Sequence, residues 1–409
     1  MRAGGKRSTS TLLLVGDGLS AFGTWIDFIA ILTLSAYQYQ VSSVEMAIVS
    51  AAMLLPGILL APTIGRLCDE KDPKRLLLLS IVMRVVCTAG VLLLHDFTLF
   101  LLLIASRSVF AGVAPPAINV MANRSIEPRA LPRFYSVLNV LNSAAKIIAP
   151  AMGTISSSLS SEAFALVMSA VFSAASFFAF SLVVVESQAD AAEAQDDDGS
   201  AKAPDADSGL AAMLPLLWIA GAYAFSVFMV NSLVPVVLQR AGFDKSLLGI
   251  LISCSGAGNI LSGMWLAKQS GAGRVSPLCG RPAESILPAL LQAAGFAAIA
   301  FVLWAAVPHK AYVLPVIFFA IGTVSARFAI ALNVFLATHH AQSIGTASGA
   351  MQSTQNTMIL IAPMLGAMVL DASGGAALFA VAAGSALLLF SLFAAVPLVG
   401  RVVLRQSKA

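Results

Sequence analysis

Apolar stretches of about 20 residues follow one another along nearly the whole chain, and a stretch of that length crosses roughly 30 Å of hydrocarbon as a helix. A bilayer offers no hydrogen bonds to a backbone, so each stretch must satisfy its own N–H and C=O groups, which a helix does and an isolated strand does not. The alternating pattern of barrel strands is not seen. With 58% of its residues hydrophobic and 11% charged, the chain lies above the roughly 45–50% apolar content of soluble domains. These features predict an all-α polytopic membrane protein with twelve spans, at 11–36, 44–65, 76–94, 97–121, 134–158, 162–185, 210–238, 247–267, 285–307, 311–336, 344–370 and 376–400. The basic opening MRAGGKRSTS leads into the first span without a small-residue cleavage site, so that span is read as retained.

Orientation follows from the lysines and arginines of the short loops. With both termini inside, inner segments hold the basic clusters at 2–7, 66–75, 124–133, 268–281 and 401–408, whereas outer loops hold only Arg240, Lys245 and Lys310. One long polar segment, 186–209, is acidic and rich in Ala and Asp, without apolar periodicity, and is read as a cytoplasmic tether. It divides the chain into bundles of six spans at 1–185 and 210–409. These halves repeat: Ala117-Ile-Asn-Val matches Ala331-Leu-Asn-Val, and SAAKIIAPAMG at 143–153 matches NTMILIAPMLG at 356–366. Two related six-helix bundles suit a transporter that rocks around a central site. Cys87 and Cys254 fall within spans, Cys68 and Cys279 in inner loops, and no CxxC spacing occurs, so neither disulfides nor metal sites are expected. His339-His340 face different ways on a helix and make a poor metal pair. No GxxxxGK[ST] sequence is present to bind a nucleotide.

The densest run of charge, GRLCDEKDPKR at 65–75, joins the second and third spans on the inner side. It resembles the signature loop of the major facilitator superfamily, Gly-x-Leu-x-Asp-Arg-x-Gly-Arg-Lys/Arg. Gly65, Leu67, Asp69, Lys74 and Arg75 match; Glu70 stands where a basic residue is usual, and Asp72-Pro73 where a glycine turn is usual. Gly65 permits close helix approach, and Asp69 can bond helix N-termini and basic residues, so the resemblance implies a cytoplasmic gate built on Gly65, Asp69 and Arg75. A loop that only sets topology is the simpler alternative. Ala149-Pro150-Ala-Met-Gly153 is similar to the family's Gly-Pro-x-x-Gly antiporter element, which adds Pro150 and Gly153 to the gate. Arg107 in SRSVFAGVAPP is similar to the mid-membrane arginine of Arg-x-x-Gln-Gly, with Phe110 in the glutamine's place. The opening LLLVGDGLSAFGTWIDFIAI looks most like the drug and siderophore exporter branch, which includes macrolide efflux and enterobactin export proteins.

A charge at mid-bilayer costs a few kcal/mol and is retained when paired, hydrated or used. Set apart from Glu45 and Glu162 at span ends, six ionisable residues fall within the apolar interiors of the spans: Asp17, Asp27, Arg84, Arg107, Lys146 and Arg327. At 1.5 Å per residue Asp27 lies roughly 24 Å from the inner face and Arg107 roughly 15 Å from the outer one, similar depths in a span of about 35 Å. Asp27 and Arg107 are therefore the candidate proton-coupling pair, with a permanent structural ion pair as the alternative. Asp17 and Arg84 share the inner third and are read as a structural pair. Lys146 and Arg327 have no charged counterpart in the repeat and are candidate substrate contacts. Two acidic residues against four basic ones leave the span interiors net positive, which favours an anionic or carboxylate-bearing substrate. Asn119, Asn231, Asn333, Gln355 and Trp25 are further candidate cavity residues; the equivalent places of Asn119 and Asn333 also suit helix–helix hydrogen bonds. The expected function is a monomeric secondary exporter of an amphipathic small molecule (a siderophore, another carboxylate metabolite or a drug). It is driven by the proton gradient with no cofactor, and sits among the lipids of a bacterial inner membrane, with no nucleic-acid partner and no enzymatic role. Uptake of a nutrient or metal complex, and a non-transporting sensor, are the competing readings.

Overall fold

The computed structural model describes residues 2–35, 39, 43–93, 96–159, 162–184, 206–243, 245–271, 282–305 and 310–395, and every regular element among them is helical. The N-terminal part carries α1 (Arg2–Thr33), α2 (Ser43–Glu70), α3 (Pro73–Leu93), α4 (Phe97–Ala111), α5 (Ala114–Ser125), α6 (Leu131–Leu159) and α7 (Glu162–Ser181). The C-terminal part carries α8 (Ala206–Asn231), α9 (Val234–Arg240), α10 (Lys245–Gly271), α11 (Pro282–Trp304), α12 (Lys310–His339) and α13 (Ile344–Ala395). The tether at 186–209 lies outside the described residues up to 205; α8 begins at Ala206, inside its expected end.

Local chemistry explains the breaks. Between α4 and α5 the chain turns at Gly112, and α5 restarts with proline in its first turn, where a missing N–H costs nothing. The same device separates α8 from α9, which meet at a bend of 40°. Inside α13, Gly374 adopts φ 82° and ψ 178°, a conformation essentially confined to glycine, and interrupts the helix. Among the described residues eight helices are long and apolar enough to cross a membrane, or nine with the bent pair. Reading α4 with α5 and α8 with α9 as single crossings, and dividing α13 at Gly374, accounts for the twelve expected spans. The run at 65–75 shows how a departure from a motif is absorbed: Asp72 accepts hydrogen bonds from the N–H groups of Lys74 (2.9 Å) and Arg75 (3.3 Å), capping α3, and Pro73 opens the helix.

The chain forms two compact units. The first comprises Met1–Leu131, Ile148–Leu216 and His340–Ala350; the second comprises Pro132–Ile147, Leu217–His339 and Met351–Ala409. The core of the first gathers Ile26, Ile31, Val91, Phe100, Ile104 and Leu166, from α1, α3, α4 and α7. The core of the second gathers Val230, Leu251, Phe296, Ile299, Leu378 and Phe379. Close backbone approach draws 340–350 into the first unit: a Cβ on Gly65 would strike the carbonyl of Gly345, and one on Gly349 that of Ala61. In the second, Gly256 packs against Ile147 and Gly263 against Val140, binding the middle of α6 to α10.

Candidate transport and gating sites

Glycine spacing on α1 sets up a buried polar network in the first unit. A Cβ at Gly16 would meet the Phe180 ring at 2.7 Å, and one at Gly23 the Ser169 carbonyl at 3.2 Å, so α1 and α7 lie close. Asp27, one turn beyond Gly23, is thereby brought to Ser169 Oγ, which donates to its Oδ1 at 3.3 Å. Its Oδ2 faces Arg107 Nη1 of α4 in an ion pair, and the two residues are 1% and 8% exposed. Arg107 Nε donates to Thr88 Oγ1 of α3 at 3.2 Å, and Thr88 donates in turn to the carbonyl of Arg84 at 2.9 Å. Arg84 is also buried; it donates to Thr24 Oγ1 (2.8 Å) and Ser20 Oγ (3.4 Å) on α1. Four helices therefore share one network of two guanidinium groups and one carboxylate.

The expected Asp17–Arg84 pair is corrected by this geometry. Arg84 lies within electrostatic reach of Asp27 and Arg107, and its hydrogen bonds end on Ser20 and Thr24 rather than on Asp17. Counting depth along a helix says nothing of azimuth, and Arg84 reaches further along α1 than Asp17's turn. The hydroxyls of Ser20, Thr24, Thr88 and Ser169 were overlooked in the sequence; Thr88 stands one turn after Arg84 and Thr24 one turn before a mid-membrane aspartate, a pattern that could have marked them.

A second constellation in the first unit surrounds Asp69, at the end of α2. Asp69 Oδ1 accepts from the N–H of Gly345 (2.7 Å), and Oδ2 accepts from the N–H (2.7 Å) and hydroxyl (2.6 Å) of Thr346. The carboxylate thus caps the N-terminus of α13 from another helix, where orphan donors and the helix dipole both favour a negative charge. Arg124 donates to the Asp69 carbonyl (3.2 Å), Asn123 to the carbonyl of Ala341 (3.0 Å), and Asn119 to Ser348 Oγ (2.8 Å). Gly65 lies in the same seam.

The sequence profile of the Major Facilitator Superfamily matches residues 13–363. The chain belongs to this superfamily. It is 28% identical over 141 residues to the uncharacterised MFS-type transporter YfiS of Bacillus subtilis strain 168; the match spans about a third of each chain (34%). The fold resembles that of the human organic anion transporter MFSD10 (TETRAN), with TM-score 0.72 and 18% identity over 95% of this chain and 99% of that one. It also resembles a bacterial homologue of the iron transporter ferroportin in an outward-facing state (TM-score 0.72, 15% identity, 94% and 98% covered). The Escherichia coli fucose:proton symporter FucP is similar too (TM-score 0.71, 15% identity, 94% and 97% covered). A secondary transporter is the function this membership gives, and superfamily members are typically non-enzymatic.

Three basic charges of the 65–75 run have partners close by. Arg75, expected at the gate, pairs instead with Asp72 on its own turn (3.2 Å) and stays exposed. Its side chain starts on the first turn of α3, where the capping aspartate is the nearest carboxylate. Arg66 pairs with Glu70 (2.9 Å), and Lys74 Nζ donates to the carbonyls of Ser181 and Val183 (2.7 Å each), tying α3 to the end of α7. The side chain of Pro150 and the surroundings of Gly153 lie outside what the structure describes.

The remaining candidates divide by burial and partner. Asn119 is buried and committed to Ser348, while Asn333 bonds the Ala329 carbonyl of its own helix (2.9 Å), so the repeated asparagines do different jobs. Trp25 is half-buried on α1, edge-on to Phe28. Asn231 is exposed where α8 ends, and Gln355 is half-buried on α13. Lys146 is exposed on α6, and Arg327 is exposed on α12 with its guanidinium over the Trp265 ring. Near Lys146, Asn139 and Ser143 both donate to Asn259 Oδ1 of α10 (2.8 and 2.7 Å), a clasp that sequence reading missed. Among the described residues no group of three or more His, Cys, Asp or Glu side chains is placed to hold a metal ion.

Proposed function

We propose that the chain is a proton-coupled exporter that moves an amphipathic, carboxylate-bearing small molecule by alternating access. The buried Asp27–Arg107 pair carries this reading. A carboxylate enclosed among apolar helices keeps its charge while a guanidinium faces it; once the partner moves away, desolvation favours the neutral acid. Protonation of Asp27 from the outer side would then be exchanged against outward release of substrate. Asp69 and Gly65 act as the cytoplasmic latch, formed in one state and broken in the other. The excess of basic residues in the span interiors supports an anionic cargo, whether siderophore, other carboxylate metabolite or anionic drug. The fold neighbour named as an organic anion transporter handles the same class, although that likeness concerns the fold alone. The protein would work as a monomer in a bacterial inner membrane with both termini cytoplasmic, drawing on the proton gradient alone.

The test is transport into inverted vesicles with an acid-inside gradient, comparing wild type with Asp27→Asn. Wild type should accumulate a carboxylate-bearing substrate and the variant should not. Full gradient-driven accumulation by Asp27→Asn would remove Asp27 as the proton carrier. Failure of siderophores, simple carboxylates and hydrophobic drugs alike to move would remove the exporter reading.

A further inference from the structure

Within the second unit, α10 and α12 touch backbone to backbone. A Cβ on Gly258 would strike the Phe319 carbonyl, and one on Gly322 the carbonyl of Ser255, so both positions need glycine for the helices to meet. Both helices are expected to run from the outer face inward. From that crossing, Trp265 lies seven residues further along α10 and Arg327 five further along α12, rises of roughly 10 Å and 8 Å. The shared crossing therefore delivers the two side chains to one level. There the Arg327 Cζ stands 5.0 Å from the centroid of the Trp265 ring, within the roughly 6 Å of an effective cation–π contact.

This pair differs from the buried intramembrane arginines described above. Arg107 has a carboxylate and Arg84 has hydroxyls, both under burial; Arg327 is exposed and, among the described residues, has no acidic partner. Trp265 is 48% exposed beside it. Arg327 stands roughly 18 Å from the inner end of α12, below headgroup level in a hydrocarbon layer of roughly 30 Å. A charge at that depth faces water or a ligand rather than lipid tails. A guanidinium lying on an indole keeps its N–H edge free for bidentate contact with an oxyanion. The indole surface left uncovered is suited to a flat, conjugated group.

We propose that Arg327 and Trp265 form one receptor for a planar carboxylate, the guanidinium edge binding the carboxylate and the indole packing against the conjugated ring beside it. Trp265 thereby becomes a specificity residue: Arg327 selects charge and Trp265 selects flatness. This assignment rests on the reading of the chain as a carrier of carboxylate-bearing molecules, and it narrows that class to aromatic or conjugated acids.

Binding of radiolabelled salicylate to the full chain in nanodiscs, read by scintillation proximity, tests it. Unlabelled salicylamide has the same ring without the charge, and cyclohexanecarboxylate the charge without the flat ring. Salicylate should bind saturably, and salicylamide should compete at least about tenfold more weakly, the scale of a lost charge-assisted contact. Cyclohexanecarboxylate should be weaker than salicylate in wild type and equal to it in Trp265→Leu. Arg327→Gln should weaken salicylate by about tenfold or more, and Arg327→Lys, which keeps the charge without the fork, by less. Absence of saturable binding, equal competition by salicylamide, or unchanged affinity in Arg327→Gln would each overturn the receptor. The wild-type comparison of the three ligands stands even where a variant does not fold. Nanodiscs with and without phosphatidylglycerol should give the same affinity; displacement of salicylate by that lipid would assign the oxyanion site to a headgroup and overturn the proposal. Gradient-driven salicylate export that ignores both substitutions refutes the receptor and leaves the exporter standing. Salicylate binding that needs both residues without gradient-driven movement does the reverse.

Discussion

Replacing Asp69 with asparagine isolates the cap on α13. Among the described residues the carboxylate accepts hydrogen bonds from Gly345 N–H, Thr346 N–H and Thr346 Oγ–H, at 2.6–2.7 Å. Asparagine keeps one acceptor oxygen, removes the charge, and turns an NH2 group toward one set of donors. A hydrogen bond to a charged group contributes about 1.5–3 kcal/mol, and a charge at a helix N-terminus about 0.3–1 kcal/mol. Because one oxygen survives, the expected net loss is about 2–3 kcal/mol, or roughly 30- to 150-fold in the equilibrium for separating α2 from α13. Cys68 precedes Asp69 on α2 and is fully buried, which makes it a native reporter. In a background with the other cysteines replaced, maleimide labelling of Cys68 should accelerate by about the same factor when opening precedes reaction. Thr346→Val, which removes only the hydroxyl, should give a smaller increase, corresponding to about 1 kcal/mol. Labelling of Asp69→Asn at the wild-type rate would refute the reasoning, since a cap that can be neutralised without effect holds nothing.

Three further outcomes follow from the same structure. Gly65→Val should cost about 1–3 kcal/mol in denaturant titration, because the added atoms meet the Gly345 backbone rather than a flexible side chain. Gly374→Ala should lower stability by about 1–3 kcal/mol although open space surrounds that position, because the backbone at φ 82° and ψ 178° is the obstacle. Arg240→Gln removes an ion pair with Asp371 (2.6 Å) whose side chains are 51% and 67% exposed; its effect on thermal stability should stay below about 1 kcal/mol and vanish in high salt.

The sequence by itself determined the class, the helical architecture and the superfamily. Hydrocarbon thickness and the demand for internal backbone hydrogen bonds act on every residue of an apolar stretch, so about twenty such residues in a row are enough to specify a crossing helix. Gly65, Leu67 and Asp69 were legible for a related reason, since their spacing lies within one turn of the chain. Asp27 and Arg107 were paired correctly because two charges in hydrocarbon have few possible partners at one depth. Tertiary structure decided what depth leaves open. Azimuth gave Arg84 to Ser20 and Thr24 instead of Asp17, and sent Arg75 to Asp72. It separated the repeated asparagines, one across helices and one along its own. Trp265 gained its place beside Arg327 only through the crossing of α10 and α12 at Gly258 and Gly322. Periodicity along one helix specifies which residues share a face; which neighbour that face meets depends on contacts between segments far apart in the chain.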